Sequence, residues 1–166
     1  NAMVITRIQR LPSEKEAFWV RRWIGEGGFL LMMPEHGDNS APLSFNDFLK
    51  KLKMNSRLDY HDSPSESRLP VETCQADTDV LAGVQSLPAP NLLVKQSPYA
   101  ILRCEEGMLV GLERYGRGGV ILVSMQADFG HKNELTEDTP WAASLLRLLH
   151  SYCQEAVNSA GKGGAK

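Results

Sequence analysis

Two short stretches hold the side chains best suited to chemistry. Glu35-His36-Gly37-Asp38 follows the apolar run Gly28 to Met33, and Asp128-Phe129-Gly130-His131 lies just beyond the run Val120 to Val123. Together they supply the imidazoles of His36 and His131 and the carboxylates of Glu35, Asp38 and Asp128. Imidazole nitrogen and carboxylate oxygen suit a divalent transition metal, and the same groups exchange protons near neutral pH. A plainer reading competes: His36 and Asp38 shape a turn, Asp128 accepts from backbone N–H groups, and His131 is solvated. Asp-x-x-His is weak by itself. The two stretches converge only if the strands before them are parallel neighbours.

The elements that must position them are written in the pattern around each stretch. Val120-Ile121-Leu122-Val123 is apolar without alternation, so both faces are expected to be covered, as in a central parallel strand. Beyond the second stretch, Thr139 as N-cap and Pro140 at the first helical position open a long helix. Trp141, Leu145, Leu149, Tyr152 and Ala156 form its buried stripe, with Leu146 and Cys153 widening it and Ser144 on the far side. Glu134, Glu137 and Asp138 precede that helix, where carboxylates complement the macrodipole; capping and solubility explain them better than calcium. In open α/β sheets, ligands bind where strands hand over to helices at their carboxyl ends.

Upstream, a strand near Val4 to Ile8 precedes a helix opened by Ser13 and Glu16, a capping box. Trp19, Val20, Trp23 and Ile24 are expected to be its buried face, with Gly27 as the stop. Core packing of the two tryptophans outweighs a binding platform. Gly28 to Met33 is a second buried strand ended by Pro34, and Ser44 caps a helix whose core contacts are Phe45, Phe48, Leu49 and Leu52. Asn55 to Val71 reads as a long loop around a short strand at Leu58 to Tyr60, a lid or recognition segment if its length has a purpose. A helical turn near Asp79 to Val84 is the most that the weak pattern of Thr73 to Leu87 allows. Leu92 to Lys95, Ala100 to Cys104 and Met108 to Arg114 read as strands, with turns at Glu105-Glu106-Gly107 and Tyr115 to Gly119. Gly116-Arg117-Gly118-Gly119 lies before a strand, so it is a tight turn, not a phosphate cradle.

A chain of 166 residues has the length of one domain, 1–158, followed by a disordered Gly/Lys-rich tail, 159–166. A net charge of −2 with interspersed signs gives no basic stripe, which argues against nucleic-acid partners. No apolar run approaches the roughly 20 residues of a membrane span, so no membrane insertion is expected in this segment. Cys74, Cys104 and Cys153 are widely spaced and odd in number, which fits neither a disulfide framework nor a CxxC metal site. Asn1-Ala2-Met3 looks like the scar of a cleaved tag; a near-full-length chain without a signal would be cytoplasmic.

The order of a capped helix, WIGEGGFLLMMPEHGD, a region of paired strands, GLERYGRGGVILVSMQADF and a helix after TPWAASLLRLL resembles the class I glutamine amidotransferase-like superfamily. It resembles most its non-catalytic branch, which includes the trimerisation domain of β-galactosidases and related gliding-motility and intraflagellar transport domains. Catalytic members carry cysteine on a sharp turn between strand and helix; no cysteine here has that setting. The resemblance implies a three-layer, flavodoxin-like α/β fold, with a mostly parallel sheet and helices on both faces. It also implies a non-catalytic binding or assembly module of a larger protein or complex, carbohydrate-related, with no cofactor. Its partners would be other domains or subunits and a carbohydrate or small polar ligand. The alternative is a metal-dependent or acid/base hydrolase that uses the loops bearing His36 and His131.

Overall fold

The computed structural model describes residues 1–34, 41–61, 68–74, 83–125 and 139–162. Strand β1 (Ala2–Ile5) comes earlier than the Val4 to Ile8 expected from sequence. Helix α1 (Glu14–Gly25) begins at the expected capping box: Ser13 Oγ accepts from the Glu16 N–H at 3.3 Å, and Glu16 Oε2 accepts from the Ser13 N–H at 2.8 Å. Its end is a Schellman motif. The Gly27 N–H donates to Ile24 O at 2.9 Å and the Gly28 N–H to Trp23 O at 3.0 Å. Gly27 takes φ +112°, a conformation open to glycine and strained for other residues.

After β2 (Phe29–Met32), helix α2 (Ala41–Lys51) starts before the expected cap, so Ser44 lies inside it. Phe45, Phe48, Leu49 and Leu52 are all buried as expected. Its end repeats the α1 motif, with the Lys53 N–H on Lys50 O and the Met54 N–H on Leu49 O, but a lysine occupies the left-handed position at φ 57°.

β3 (Arg57–Tyr60) pairs with β7 (Leu92–Lys95), and β4 (Arg68–Pro70) with β6 (Ser86–Pro88), as two small antiparallel ladders. The main sheet has six strands in the order β1-β2-β10-β9-β8-β5, where β5 is Glu72–Thr73, β8 Tyr99–Cys104, β9 Gly107–Tyr115 and β10 Gly118–Val123. β1 and β10 both run parallel to β2, while the β10/β9, β9/β8 and β8/β5 ladders are antiparallel. The expected mostly parallel sheet is therefore corrected to a mixed one. The cause is local: Tyr115 pairs with Gly118, and Cys104 with Gly107. Connections this short can join only antiparallel strands, because a parallel return needs a crossover of roughly a dozen residues or more.

Helices cover both faces of the parallel part. Phe29, Leu31, Ile121 and Val123 pack with Trp141, Leu145, Leu148 and Tyr152 of α3 (Thr139–Lys162). Leu30, Met32, Val120 and Leu122 face the other way, onto Ala17 and Ile24 of α1 and the four buried residues of α2. The unbroken apolar runs of β2 and β10 thus have the physical cause inferred from sequence: neither face meets water.

Three burial expectations fail. Trp19 is 52% exposed, because the buried stripe of α1 runs through Ala17 and Ile24. On α3 the stripe widens toward Ser144, which is fully buried, and not toward Leu146, which is 49% exposed. α3 also continues to Lys162, so residues 159–162 belong to the helix and not to a tail. Of the expected turn at Asp79 to Val84, residues 79–82 lie outside the described residues, and Gly83 and Val84 are not helical.

Candidate functional site at the carboxyl ends of two parallel strands

Glu35, His36, Asp38, Asp128 and His131 all lie outside the described residues. The structure does describe the strands from which those segments leave. Phe29 pairs with Gly119 and Met32 with Leu122, in parallel, so β2 and β10 end side by side at the same edge of the sheet. The chain beyond β2 next forms α2 on one face, and the chain beyond β10 next forms α3 on the opposite face. Neighbouring parallel strands whose onward connections diverge to opposite faces leave a crevice between their carboxyl ends, the topological switch point of an open α/β sheet.

The described residues at this edge are Met33 and Pro34 after β2 and Ser124 and Met125 after β10. The β2/β10 register carried two residues on sets Ser124 beside Pro34. Proline has no N–H to extend the ladder, so the pairing must end there. The Ser124 N–H is held by Leu109 O at 2.8 Å, but its hydroxyl is buried and has no hydrogen-bond partner among the described residues.

α3 brings further polar groups to the same level. Its later turns lie at the opposite end of β2: the Tyr152 ring stacks on Phe29 with centroids 5.7 Å apart, and Cys153 Sγ reaches Asn1 O at 3.6 Å. From Tyr152 back to Trp141 the helix rises about 16 Å, and β2 extends about 13 Å over the same interval. The first turns of α3 therefore stand at the carboxyl edge. There, Trp141 Nε1 and Ser144 Oγ are both buried and, among the described residues, both lack a hydrogen-bond partner. Sequence reading placed Ser144 on the solvent side and took Trp141 as apolar filling, so both were missed as polar features. A serine among the core spacings of a helix was the available signal.

The cysteines stand elsewhere. Cys74 follows edge strand β5, Cys104 ends antiparallel strand β8 before a tight turn, and Cys153 sits late in α3. Burial pushes the Cys74 thiol up from its ordinary value, against the opposing pull of Arg103, which disfavours the thiolate that a nucleophile needs. His61 is committed structurally: its Nε2 lies 3.0 Å from Glu106 Oε2, and its N–H donates to Asn91 O at 2.9 Å. Among the described residues no cluster of three or more His, Cys, Asp or Glu can hold a metal, and no helix is long and apolar enough to cross a membrane.

No family model matches the chain, and no curated protein matches it in sequence. Its fold is similar to a cytoplasmic protein of Salmonella typhimurium LT2, with a TM-score of 0.56 and 14% identity over 91% of this chain and 71% of that one. A second cytoplasmic protein of Salmonella typhimurium gives a TM-score of 0.57 and 11% identity over 90% of this chain and 70% of that one. A β-galactosidase of Rahnella sp. R3 gives a TM-score of 0.48 and 12% identity over 90% of this chain and 21% of that one. At such identities the likeness to the two Salmonella proteins is one of fold.

Proposed function

We propose that the chain is a non-catalytic binding or assembly module of a larger protein or complex, organised as the non-catalytic glutamine amidotransferase-like branch is, with its ligand over the carboxyl ends of β2 and β10. One observation carries this reading: two parallel neighbours end together and hand the chain to helices on opposite faces. The β1-α1-β2 unit and the β10-α3 unit supply the parallel portion of a three-layer, flavodoxin-like arrangement, which the β9-β8-β5 ladder extends. Ligand contacts come from Glu35, His36, Asp38, Asp128 and His131, in the segments that leave those ends. The ligand is a carbohydrate or another small polar molecule. Glutaminase-type catalysis is disfavoured because all three cysteines are described and none follows β2 or β10.

The test is an assigned NMR titration of the chain with monosaccharides, glycerol, inorganic phosphate and zinc, repeated on the His36→Ala/His131→Ala double variant. Binding here moves the amides of Met33, Ser124 and Met125 and weakens in the variant. Shifts confined to the other end of the sheet, at Gly28 and Arg117, refute the location.

A further inference from the structure

We infer that the outer edge of β1, with the helix flanks on either side of it, docks a second copy of this chain, two β1 strands pairing antiparallel across a two-fold axis. The inference gives the assembly reading above a partner and does not depend on the ligand site.

Three observations support it. First, β1 is an open edge. It ends the six-stranded sheet, and among the described residues no strand pairs with its outer side. The Phe29 N–H donates to Asn1 O at 3.1 Å and the Met33 N–H to Ile5 O at 2.9 Å. Residues 1, 3 and 5 therefore turn their backbone groups to β2, and Val4 turns its N–H and C=O outward. Proteins blunt such edges with very short strands, charges or proline. The opposite edge is blunted, since β5 is only Glu72 and Thr73, whereas the Ala-Met-Val-Ile of β1 has neither charge nor proline.

Second, both covering helices turn apolar flanks to this edge. On α1, Arg21 lies over the Tyr115 ring of β9, on the far side of β10 from β1. Trp19 and Trp23, two positions away and about 200° round the helix, face the other way. On α3, Glu155 pairs with Arg114 of β9, while Cys153 reaches Asn1 O; Leu146 and Val157 share the Cys153 flank. Met3 points to the α1 side with Leu30, and Val4 to the α3 side with Leu31. Met3, Val4, Trp19, Leu146 and Val157 are each roughly half exposed. At roughly 150 Å² per large side chain they leave about 400 Å² of apolar surface, half of the ~800 Å² that each partner of a standard interface buries.

Third, the strip does not repel itself. Identical surfaces associate across a two-fold axis only where like charges do not meet. β1 is uncharged, Glu16 is held by Arg10 at 2.6 Å, and Glu26 by Arg22 at 2.8 Å. A two-fold axis through the joined sheet sets each helix flank against its own copy, so strand meets strand and apolar flank meets apolar flank.

Sedimentation of the chain from about 1 μM to about 1 mM should show a monomer–dimer equilibrium, with exchange of the Val4 amide slowing as the dimer forms. Val4→Pro leaves the β1/β2 ladder intact, because the Val4 N–H is not in it, and should raise the dissociation constant about tenfold or more. Leu146→Glu should do the same from an exposed helix position, and it carries the test if circular dichroism shows that Val4→Pro does not fold. Leu43→Glu, exposed on α2, should change nothing. A chain that stays monomeric overturns the inference. So does a trimer, a dimer that Leu146→Glu and a folded Val4→Pro leave intact, or one that leaves the Val4 amide unprotected. A monomer that still shows ligand shifts at Met33, Ser124 and Met125 loses this inference and keeps the proposed site; a β1 dimer without those shifts does the reverse.

Discussion

Removing the carboxylate of Glu113 tests the packing logic of this fold most sharply. Glu113 lies in β9 opposite Val120 of β10 and is 6% exposed. It has no cationic partner at hydrogen-bond distance among the described residues; it accepts from backbone donors instead. The Asn55 N–H lies 2.9 Å from both carboxylate oxygens, the Ser56 N–H donates to Oε2 at 2.7 Å, and Asn55 Nδ2 reaches Oε1 at 3.3 Å. These bonds moor the turn after α2 to the sheet and set the direction of β3. A hydrogen bond to a charged group contributes about 1.5–3 kcal/mol, and stranding a buried donor costs about 1–3 kcal/mol. Ser56 is buried and its N–H would be stranded, whereas Asn55 is exposed and its N–H can turn to water. Glu113→Ala should therefore destabilise by about 2–4 kcal/mol, and Glu113→Gln, which keeps one acceptor oxygen, by about 1–2 kcal/mol. Urea unfolding measures both, and amide exchange at Asn55 and Ser56 locates the loss. A cost below about 0.5 kcal/mol for the alanine variant, or unchanged protection of the Ser56 amide, would refute the mooring.

Lys53→Gly should stabilise by about 1 kcal/mol, since φ 57° costs a lysine what glycine avoids; a lower urea midpoint would contradict this. Gly118→Ala should prevent stable folding, because the added methyl would run into Gly28 O and Ile24 O, both backbone atoms that cannot step aside; circular dichroism decides it. The Arg10 guanidinium, then the Ser13 N–H and hydroxyl, hold the Glu16 carboxyl well below the usual carboxylate range. A folded value below the unfolded one contributes stability above the unfolded value of about 4.3 and loses it as pH falls further. Glu16→Gln should flatten that acid-side decline in the unfolding midpoint, read from neutral pH to about pH 3; an unaltered slope would exclude the contribution.

Signals that act over a few residues were legible in the sequence. The Ser13/Glu16 box, the Gly27 stop, the Pro34 end of β2 and the start of α3 at Thr139 and Pro140 each follow from a local donor, a fixed φ or a missing N–H. The covered faces of β2 and β10 were legible too, since unbroken apolarity has few other causes. Strand direction was misread although its determinant was present: a two-residue turn at Gly116-Arg117 already excludes a parallel neighbour on that side of β10. Trp19 and Ser144 were misread for another reason. Periodicity gives the direction of a helix face but not its tilt on the sheet, and a modest roll buries one flank and frees the other. Glu35, His36, Asp38, Asp128 and His131 lie outside the described residues; what the structure adds is that the strands before them end side by side, a pairing that no local signal in the sequence carries. Whether a buried hydroxyl such as that of Ser144 has a partner is likewise a tertiary fact.

The amino ends of the parallel strands are held by a dense set of backbone and side-chain bonds. At the amino end, the Gly119 N–H donates to Gly28 O at 3.1 Å and the Arg117 N–H to Gly25 O at 3.1 Å. The Arg117 guanidinium reaches Glu26 O at 2.7 Å, and Arg114 lies over the Phe29 and Tyr152 rings while pairing with Glu155 at 2.6 Å. Glycines at 116 and 118 let these backbones approach closely, since a methyl at 116 would meet Gly25 O and one at 118 would meet Gly28 O and Ile24 O. At the carboxyl end, Pro34 offers no donor, and among the described residues Ser124 Oγ, Trp141 Nε1 and Ser144 Oγ are buried without a hydrogen-bond partner, as is Arg21 Nε beside Tyr115 at the amino end. The amino end thus acts as a clamp that fixes the turn before β10 and the start of that strand to the end of α1 and the start of β2.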